Sequence, residues 1–573
     1  MNKPLEAAAA TLTGAEAAVE MLRAHGVEVI FGLCGDTSLP LYDALARLEG
    51  AASAARRMRH ILTRDERHAA YMADGYARVS GKVGVCEGPS GGGATYILPG
   101  LVEANESSIP VLAINTDVSV SSRGRFTLTE LDQKALMRPL TKWNAVLDRA
   151  ADIPRTFRAA FNAMTTGRPG AAHIALPFDV QNQPVEGTDV WGDPSLGSYP
   201  SRRIAPDPFH VELAAKLLRN AKRPVFICGG GPVIAGAQEE LRELAEKLSA
   251  PVATTISGQG SISEEHPLAV GVVGSNGGTV ETRTIVDQAD LVVFVGCRAG
   301  SVTTERWRHP VPGKVKVIHV DVDAGTIGAN YPVDAPLVAD ARFALAALNE
   351  ALGDLRRPLD ATSVAKAKAE KFAKFNVLAA SDDAPIKPER VVVELSMALD
   401  ADAIVVADPG TPCPYLSAYY PVRKTGRTLF SNRAHGALGY SMAAAVGAHF
   451  GRPTVKTVAV MGDGSFGMCA GELETLVRYK LPVTMVVIRN AVYGWIKAGQ
   501  KTGYGQRYFS VDFGATDHAK VADAYGVKSW KVEDPRKLGA ALKEAIAHGG
   551  PSLVDVVCQP LHEAKAPVSE WVA

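Results

Sequence analysis

The sequence predicts an α/β protein made of three doubly wound parallel-sheet domains, the middle one Rossmann-like. Three observations lead there. At 573 residues the chain exceeds what one hydrophobic core supports. Short β-branched runs alternate with amphipathic stretches along most of its length, the succession of strand and crossover helix that parallel sheets need. Two breaks interrupt the alternation: a Gly/Pro/Ser-rich stretch from Val185 to Pro208 and an alanine- and lysine-rich one from Arg356 to Asp383. Domains are therefore expected over 1–185, 209–355 and 387–573.

Composition narrows the functional classes. A formal net charge of +0 gives no electrostatic reason to expect nucleic acid or an anionic membrane as partner. The seven cysteines (Cys34, Cys86, Cys228, Cys297, Cys413, Cys469 and Cys558) are scattered, odd in number and free of any CxxC. They read as reduced, mostly core residues of a cytoplasmic protein. The N-terminal stretch MNKPLEAAAATLTGAEAAVE has no h-region with a cleavage site, and no apolar run reaches transmembrane length. Secretion and membrane insertion are not expected.

In the first segment TLTGAEAAVEMLRAHG reads as a capped helix, VEVIFGLCG as a strand and LPLYDALARLE as a helix. RMRHIL is a short strand leading into the helix of TRDERHAAYMADGYARVSG, followed by the strand KVGVCEG, the loop PSGGG and the strand PVLAIN. Glu66 falls where a strand ends and a helix begins, a place that the helix dipole alone would give a glutamate. In the middle segment RPVFICGGGP, LVVFVGCRAG and KVKVIHVDVDAG are strand-to-turn units. Their glycines do not match GxGxxG with a downstream acid, so a nucleotide site there rests on weak evidence.

The third segment carries the most informative stretch, MGDGSFGMCAGELETLVRYKLPVTMVVIRNAVYG from Met461 to Gly494. VKTVAVMG and VTMVVIRN are buried strands flanking a helix. In a parallel βαβ unit their C-terminal ends share one sheet edge. Asp463 lies just past the first strand and Asn490 just past the second, 27 positions on. A carboxylate and a carboxamide are thus expected in one crevice, with the amides of Gly464 and Ser465 facing it near a helix start. That set suits a hard divalent cation such as Mg2+ holding a diphosphate. The strand AIVVADPG brings Gly410 and Thr411 to the same edge.

This stretch resembles the thiamine-diphosphate binding motif, GDG followed by paired asparagines, although Arg489 stands where the first asparagine usually does. The resemblance implies Asp463, Asn490 and the carbonyl of Val492 as metal ligands. TRDERHAAYMADGYARVSGKVGVCEGPSGGGATYILPGLVEA resembles the pyrimidine-binding domain of acetolactate synthases and their relatives. That likeness gives Glu66 the hydrogen bond to N1′ of the aminopyrimidine; His68, two residues later, reads as a helix-face residue rather than a catalyst. In SNRAHGALGYSMAAAVGAHF the likeness implies that Leu438 wedges between the cofactor rings and that the carbonyl of Gly436 meets the 4′-amino group. The central domain of these relatives holds FAD or ADP. The corresponding stretches are Ser257 to Gly260, Gly274 to Gly278 and Gly296 to Ser301, the last departing from the flavin pattern at Ala299-Gly300-Ser301.

The resemblance implies a carboligase or decarboxylase acting on a 2-oxo acid such as pyruvate, in a homodimer or homotetramer with active sites at subunit interfaces. Thr411-Pro412 and Thr129 replace residues usual in acetolactate synthases, and Trp495 and Ile496 stand in the family's substrate-facing Met-Val region. The alternatives are an acyltransferase to phosphate resembling sulfoacetaldehyde acetyltransferase, a 2-hydroxyacyl-CoA lyase or oxalyl-CoA decarboxylase-like enzyme, and a catalytically silent scaffold subunit.

Overall fold

A computed structural model describes residues 11–51, 58–564 and 566–569. Among these residues the chain forms three six-stranded, all-parallel sheets and one short antiparallel pair, Thr11–Thr13 with Pro184–Glu186. Three sheets flanked by helices are the predicted fold class. No helix among the described residues is long and apolar enough to cross a membrane.

The first sheet comprises β1 (Val29–Gly32), β2 (Arg59–Leu62), β3 (Gly84–Gly88), β4 (Val111–Asp117), β5 (Trp143–Val146) and β6 (Ala172–Pro177), in the order β2-β1-β3-β4-β6-β5. The second comprises β7 (Pro224–Cys228), β8 (Val252–Thr254), β9 (Ala269–Val272), β10 (Leu291–Val295), β11 (Lys316–Asp321) and β12 (Ala335–Val338), in the order β9-β8-β7-β10-β11-β12. The third comprises β13 (Ile404–Ala407), β14 (Leu429–Ser431), β15 (Thr457–Gly462), β16 (Val483–Arg489), β17 (Lys528–Val532) and β18 (Ser552–Val557), in the order β14-β13-β15-β16-β18-β17. Inner strands such as β4, β6 and β16 are buried along their whole length, which is why they read as mainly apolar runs rather than alternating ones.

The chain divides into two compact units. The first gathers Met1–Arg202, Ala434–Pro453 and Gly471–Tyr479, and the second holds the rest. In the first unit, helix α1 (Glu66–Ser80) starts at Asp65, whose side chain accepts from the amide of Arg67, and stops at the left-handed Gly81. It packs against helix α2 (Ser441–Gly451) with backbones nearly touching. A Cβ added at Gly75 would lie 2.1 Å from the carbonyl oxygen of Ala444, and one at Gly447 only 1.8 Å from that of Met72. Beside this crossing Arg78 pairs with Asp74 at 2.7 Å and Glu103 at 3.0 Å, all three side chains buried. In the second unit Phe226, Leu244, Val293 and Leu345 belong to the core of the second sheet, and Val405, Val458, Val486 and Val554 to that of the third. Each such side chain contributes about 1.5–3 kcal/mol.

Two stretches differ from the reading of the sequence. The Val185 to Pro208 stretch is not structureless, because its first residues form the strand paired to Thr11–Thr13. The one helix expected between VKTVAVMG and VTMVVIRN is two. Helix α3 (Asp463–Cys469) begins at the aspartate, a short tight turn spans Ala470–Glu472, and the helix resumes over Leu473–Arg478. Gly464, Gly467 and Gly471 within this stretch weaken helix propagation. All seven cysteines are free; Cys34 is exposed and the other six are buried.

Candidate active site

Strands β15 and β16 pair in register from Thr457 with Val483 to Gly462 with Ile488, so their C-terminal ends share an edge. Asp463, first in α3, and Asn490, first past β16, meet there. The Asp463 carboxylate is buried and held by three backbone donors. Oδ1 accepts from the amide of Gly464 at 2.9 Å, and Oδ2 accepts from those of Asn490 and Ala491 at 2.8 and 2.6 Å. Burial pushes its pKa up, while these hydrogen bonds pull it the other way. Ala491 adopts a left-handed φ of 55°, and the chain then buries Val492, which bridges to Asp512.

The same edge receives β13, which pairs with β15 through Ala407 and Val460. Gly410 and Thr411 follow it, Thr411 buried. Helix α4 (Gly494–Gly503) starts close by, since a Cβ at Gly494 would stand 3.4 Å from Thr411 Oγ1. Ser465 is buried in the first turn of α3, and the preceding Gly462 supplies no side-chain cap. The amide of Gly464 is engaged at this edge, where it donates to Asp463. A carboxylate in the first helical turn captures one of the donors that a helix start leaves without a partner.

Arg489, at the end of β16, is engaged with the neighbouring strand. Its Nε lies 3.2 Å from Asp555 Oδ1 on β18, and a terminal nitrogen donates to the carbonyl of Thr516 at 3.2 Å. The amide of His518 donates to the same aspartate at 3.1 Å, and its ring sits edge-on to Phe466 of α3. Asp555 and His518 escaped the sequence reading. An aspartate inside the apolar run SLVDVV is the signal that could have found the first.

Glu66, Gly436 and Leu438 lie in the first unit. Glu66 opens α1, buried, and burial is the main cause that raises its pKa. The end of β3 and the glycine loop after it close on Glu66: a Cβ at Gly88 would lie 3.2 Å from Glu66 Cγ, and one at Gly93 the same distance from Oε1. His68 faces inward, its Nδ1 3.0 Å from the buried carboxylate of Glu472. Leu438 is half-buried in the turn before α2. That turn is fixed at both ends, because the amide of His435 donates to Glu103 at 2.7 Å and the hydroxyl of Tyr440 to Asp74 at 2.5 Å. Glu87 on β3 was also missed. Its buried carboxylate accepts from the Tyr42 hydroxyl and lies 3.2 Å from His60 Nε2, and burial raises its pKa.

In the central domain Gly229 to Gly231, Ser257 to Gly260, Gly274 to Gly278 and Gly296 to Ser301 all follow the C-terminal ends of β7 to β10. The amide of Gly231 donates to the carbonyl of Gly296 at 3.2 Å. Asn276 is buried, with neither side-chain polar atom hydrogen-bonded, and its backbone bridges to Val568. Among the described residues no group of three or more His, Cys, Asp and Glu side chains forms a metal cage.

Comparison with known proteins accounts for this arrangement. Thiamine pyrophosphate enzyme family models match as the N-terminal TPP binding domain over residues 12–136, the central domain over 211–348 and the C-terminal TPP binding domain over 408–556. The chain is 37% identical over 569 residues to a probable acetolactate synthase large subunit of Methanococcus aeolicus, covering 96% of this chain and 92% of that one. It is 32% identical over 552 residues to the acetolactate synthase large subunit of Lactococcus lactis, with 95% and 92% covered. The acetolactate synthase isozyme 3 large subunit of Escherichia coli matches at 32% over 544 residues, with 93% and 92% covered. Fold and comparisons together define a thiamine-pyrophosphate-dependent enzyme. Within that family the chain belongs with the acetolactate synthase-like enzymes, and nothing favours the acyltransferase, CoA-lyase or silent-scaffold alternatives.

Proposed function

We propose that the protein is a Mg2+- and thiamine-diphosphate-dependent carboligase or decarboxylase of a 2-oxo acid such as pyruvate. The observation that carries this reading is the seat of Asp463, a buried carboxylate fixed by three amides between the ends of two adjacent strands. One carboxylate, the carboxamide of Asn490 and the carbonyl of Val492 suit Mg2+. That ion takes oxygen ligands and fills the rest of its octahedron with water and phosphate oxygens, so no larger cage of acidic side chains is required. Gly410, Thr411, Gly464 and Ser465 would line the diphosphate. When bound, thiamine diphosphate supplies an electron sink for making and breaking C–C bonds. Glu66, its proton affinity raised by burial, would hold a proton opposite N1′. Leu438 would support the bent cofactor conformer, and the carbonyl of Gly436 would accept from the 4′-amino group.

The domain limits 1–185, 209–355 and 387–573 belong to the same reading, as do a cytoplasmic location and a homodimer or homotetramer with interface active sites. FAD or ADP in the central domain is supported by Asn276, whose buried amide has both polar atoms free for a ligand. The test is product analysis after incubation with pyruvate, Mg2+ and thiamine diphosphate, with and without phosphate. Acetolactate or CO2 is the expected product. Acetyl phosphate formed instead from sulfoacetaldehyde and phosphate in a parallel incubation, with sulfite as the leaving group, would replace this reading by the acyltransferase one, and no product from any 2-oxo acid would remove the substrate class.

A further inference from the structure

Arg433 lies two residues past β14, at the C-terminal edge of the third sheet, where it is half-buried. Its Nε is shielded from solvent and has no hydrogen-bond partner. Its guanidinium carbon stands 5.9 Å from the ring centroid of Trp495, the second residue of α4. Among the described residues no carboxylate pairs with it. Two other cations near this edge are matched. Lys497 donates to Asp512 at 2.7 Å, and Arg489 pairs with Asp555. A guanidinium with its Nε shielded from water and no counter-ion is left with an unmet donor, which a carboxylate bound in a bidentate pair through Nε and a terminal nitrogen would satisfy.

We propose that Arg433, laid against Trp495, receives the carboxylate of the substrate and thereby selects an anionic carbonyl compound over a neutral one. This rests on the reading above, in which the acid is a 2-oxo acid and Trp495 lies in the substrate-facing region. The planar guanidinium matches a carboxylate in two parallel hydrogen bonds. The indole face holds it in plane and keeps water from one side. The cofactor's diphosphate has its own seat at Asp463 and Asn490, so the arginine is left for the second anion that the reaction brings.

The experiment uses the full chain loaded with Mg2+ and thiamine diphosphate, and oxamate as a non-reacting pyruvate isostere. Arg433→Met is expected to weaken oxamate binding in calorimetry, and to raise the KM for pyruvate, by roughly 10- to 100-fold. Arg433→Lys should recover part of this, and Trp495→Phe should cost roughly 2- to 10-fold. The Kd for thiamine diphosphate should not move. Unchanged oxamate affinity in folded Arg433→Met overturns the proposal, and so does a loss that appears in the cofactor Kd instead, which would assign the arginine to the diphosphate. Should Arg433→Met fail to fold, protection of Arg433 by oxamate against phenylglyoxal, read by peptide mass, decides in its place. A parent chain that binds oxamate through Arg433 yet turns over no 2-oxo acid supports this site while overturning the activity reading.

Discussion

The first and third sheets have the same topology and carry different chemistry. Counted within its own sheet, each runs in the order 2-1-3-4-6-5, whereas the central sheet runs 3-2-1-4-5-6. The likeness extends to detail. In the first sheet the side chain of Asn115, on the fourth strand, donates to the carbonyl of Gly88 at the end of the third, 27 positions earlier. In the third sheet the amide of Asn490, past the fourth strand, donates to Asp463 past the third, again 27 positions earlier. One edge has a glycine where the other has an acid, and the first sheet's acid, Glu66, instead follows its second strand. On the function proposed above, the same scaffold edge serves as a seat for a cation and its anion, or as a wall against a single proton-holding carboxyl, by moving one acidic residue from one crossover to the next.

Four experiments bear on that contrast, in falling order of expected effect. Asp463→Ala should weaken thiamine diphosphate and Mg2+ binding by at least about 100-fold, since on the proposed function it removes a metal ligand where supporting residues alone are worth 10- to 100-fold. Cofactor affinity equal to the parent's, measured by calorimetry, would falsify the assignment of that edge. Glu66→Gln should leave those affinities in place and lower turnover by roughly 10²–10⁴-fold. Mixing it with Asp463→Ala under subunit exchange should restore part of the activity, and full activity in Glu66→Gln alone would sink its role.

Gly88→Asp puts an acid at the matching position of the first sheet. Its Cβ would stand 3.2 Å from Glu66 and 3.3 Å from Asn115, so a loss of about 1–3 kcal/mol in stability is expected from overpacking. A second Mg2+ site appearing in that variant would show the two edges to be interchangeable. The smallest effect concerns pH. Burial raises Glu66 above its ordinary value of 4.5, so the folded state keeps this proton to higher pH than the unfolded chain does. The stability it contributes therefore declines as pH rises from about 4.5 through its folded value. Melting curves should show the parent losing stability relative to Glu66→Gln across that window, with a constant offset above it; a flat difference throughout would remove the raised pKa.

The parts of this protein legible in the sequence are those that local pattern dictates. Apolar runs such as TVAVMG and VTMVVIR appear as β15 and β16, and the spacing of Asp463 and Asn490 follows from one βαβ unit. Side-chain partnerships across long separations were not legible. His68 meets Glu472 from 404 positions away, and Tyr440 meets Asp74 from 366. No periodicity announces such pairs, because they depend on how whole helices are laid together. Arg489 shows the same limit. It reads as an odd residue in a motif until β18 brings Asp555 alongside.

The crossing of α1 and α2 bears on how inactive variants are interpreted. Gly75 sits nine residues from Glu66 on one rigid rod, roughly 13 Å along its axis at 1.5 Å per residue. A methyl group there cannot be absorbed by side-chain adjustment, since what it meets is backbone. The helix must pivot, and a pivot at the crossing swings its tip. In a screen for loss of activity, Gly75 and Gly447 would score alongside residues that handle protons, although neither carries a functional group. A damaged lever and a missing tool look alike in an assay of turnover.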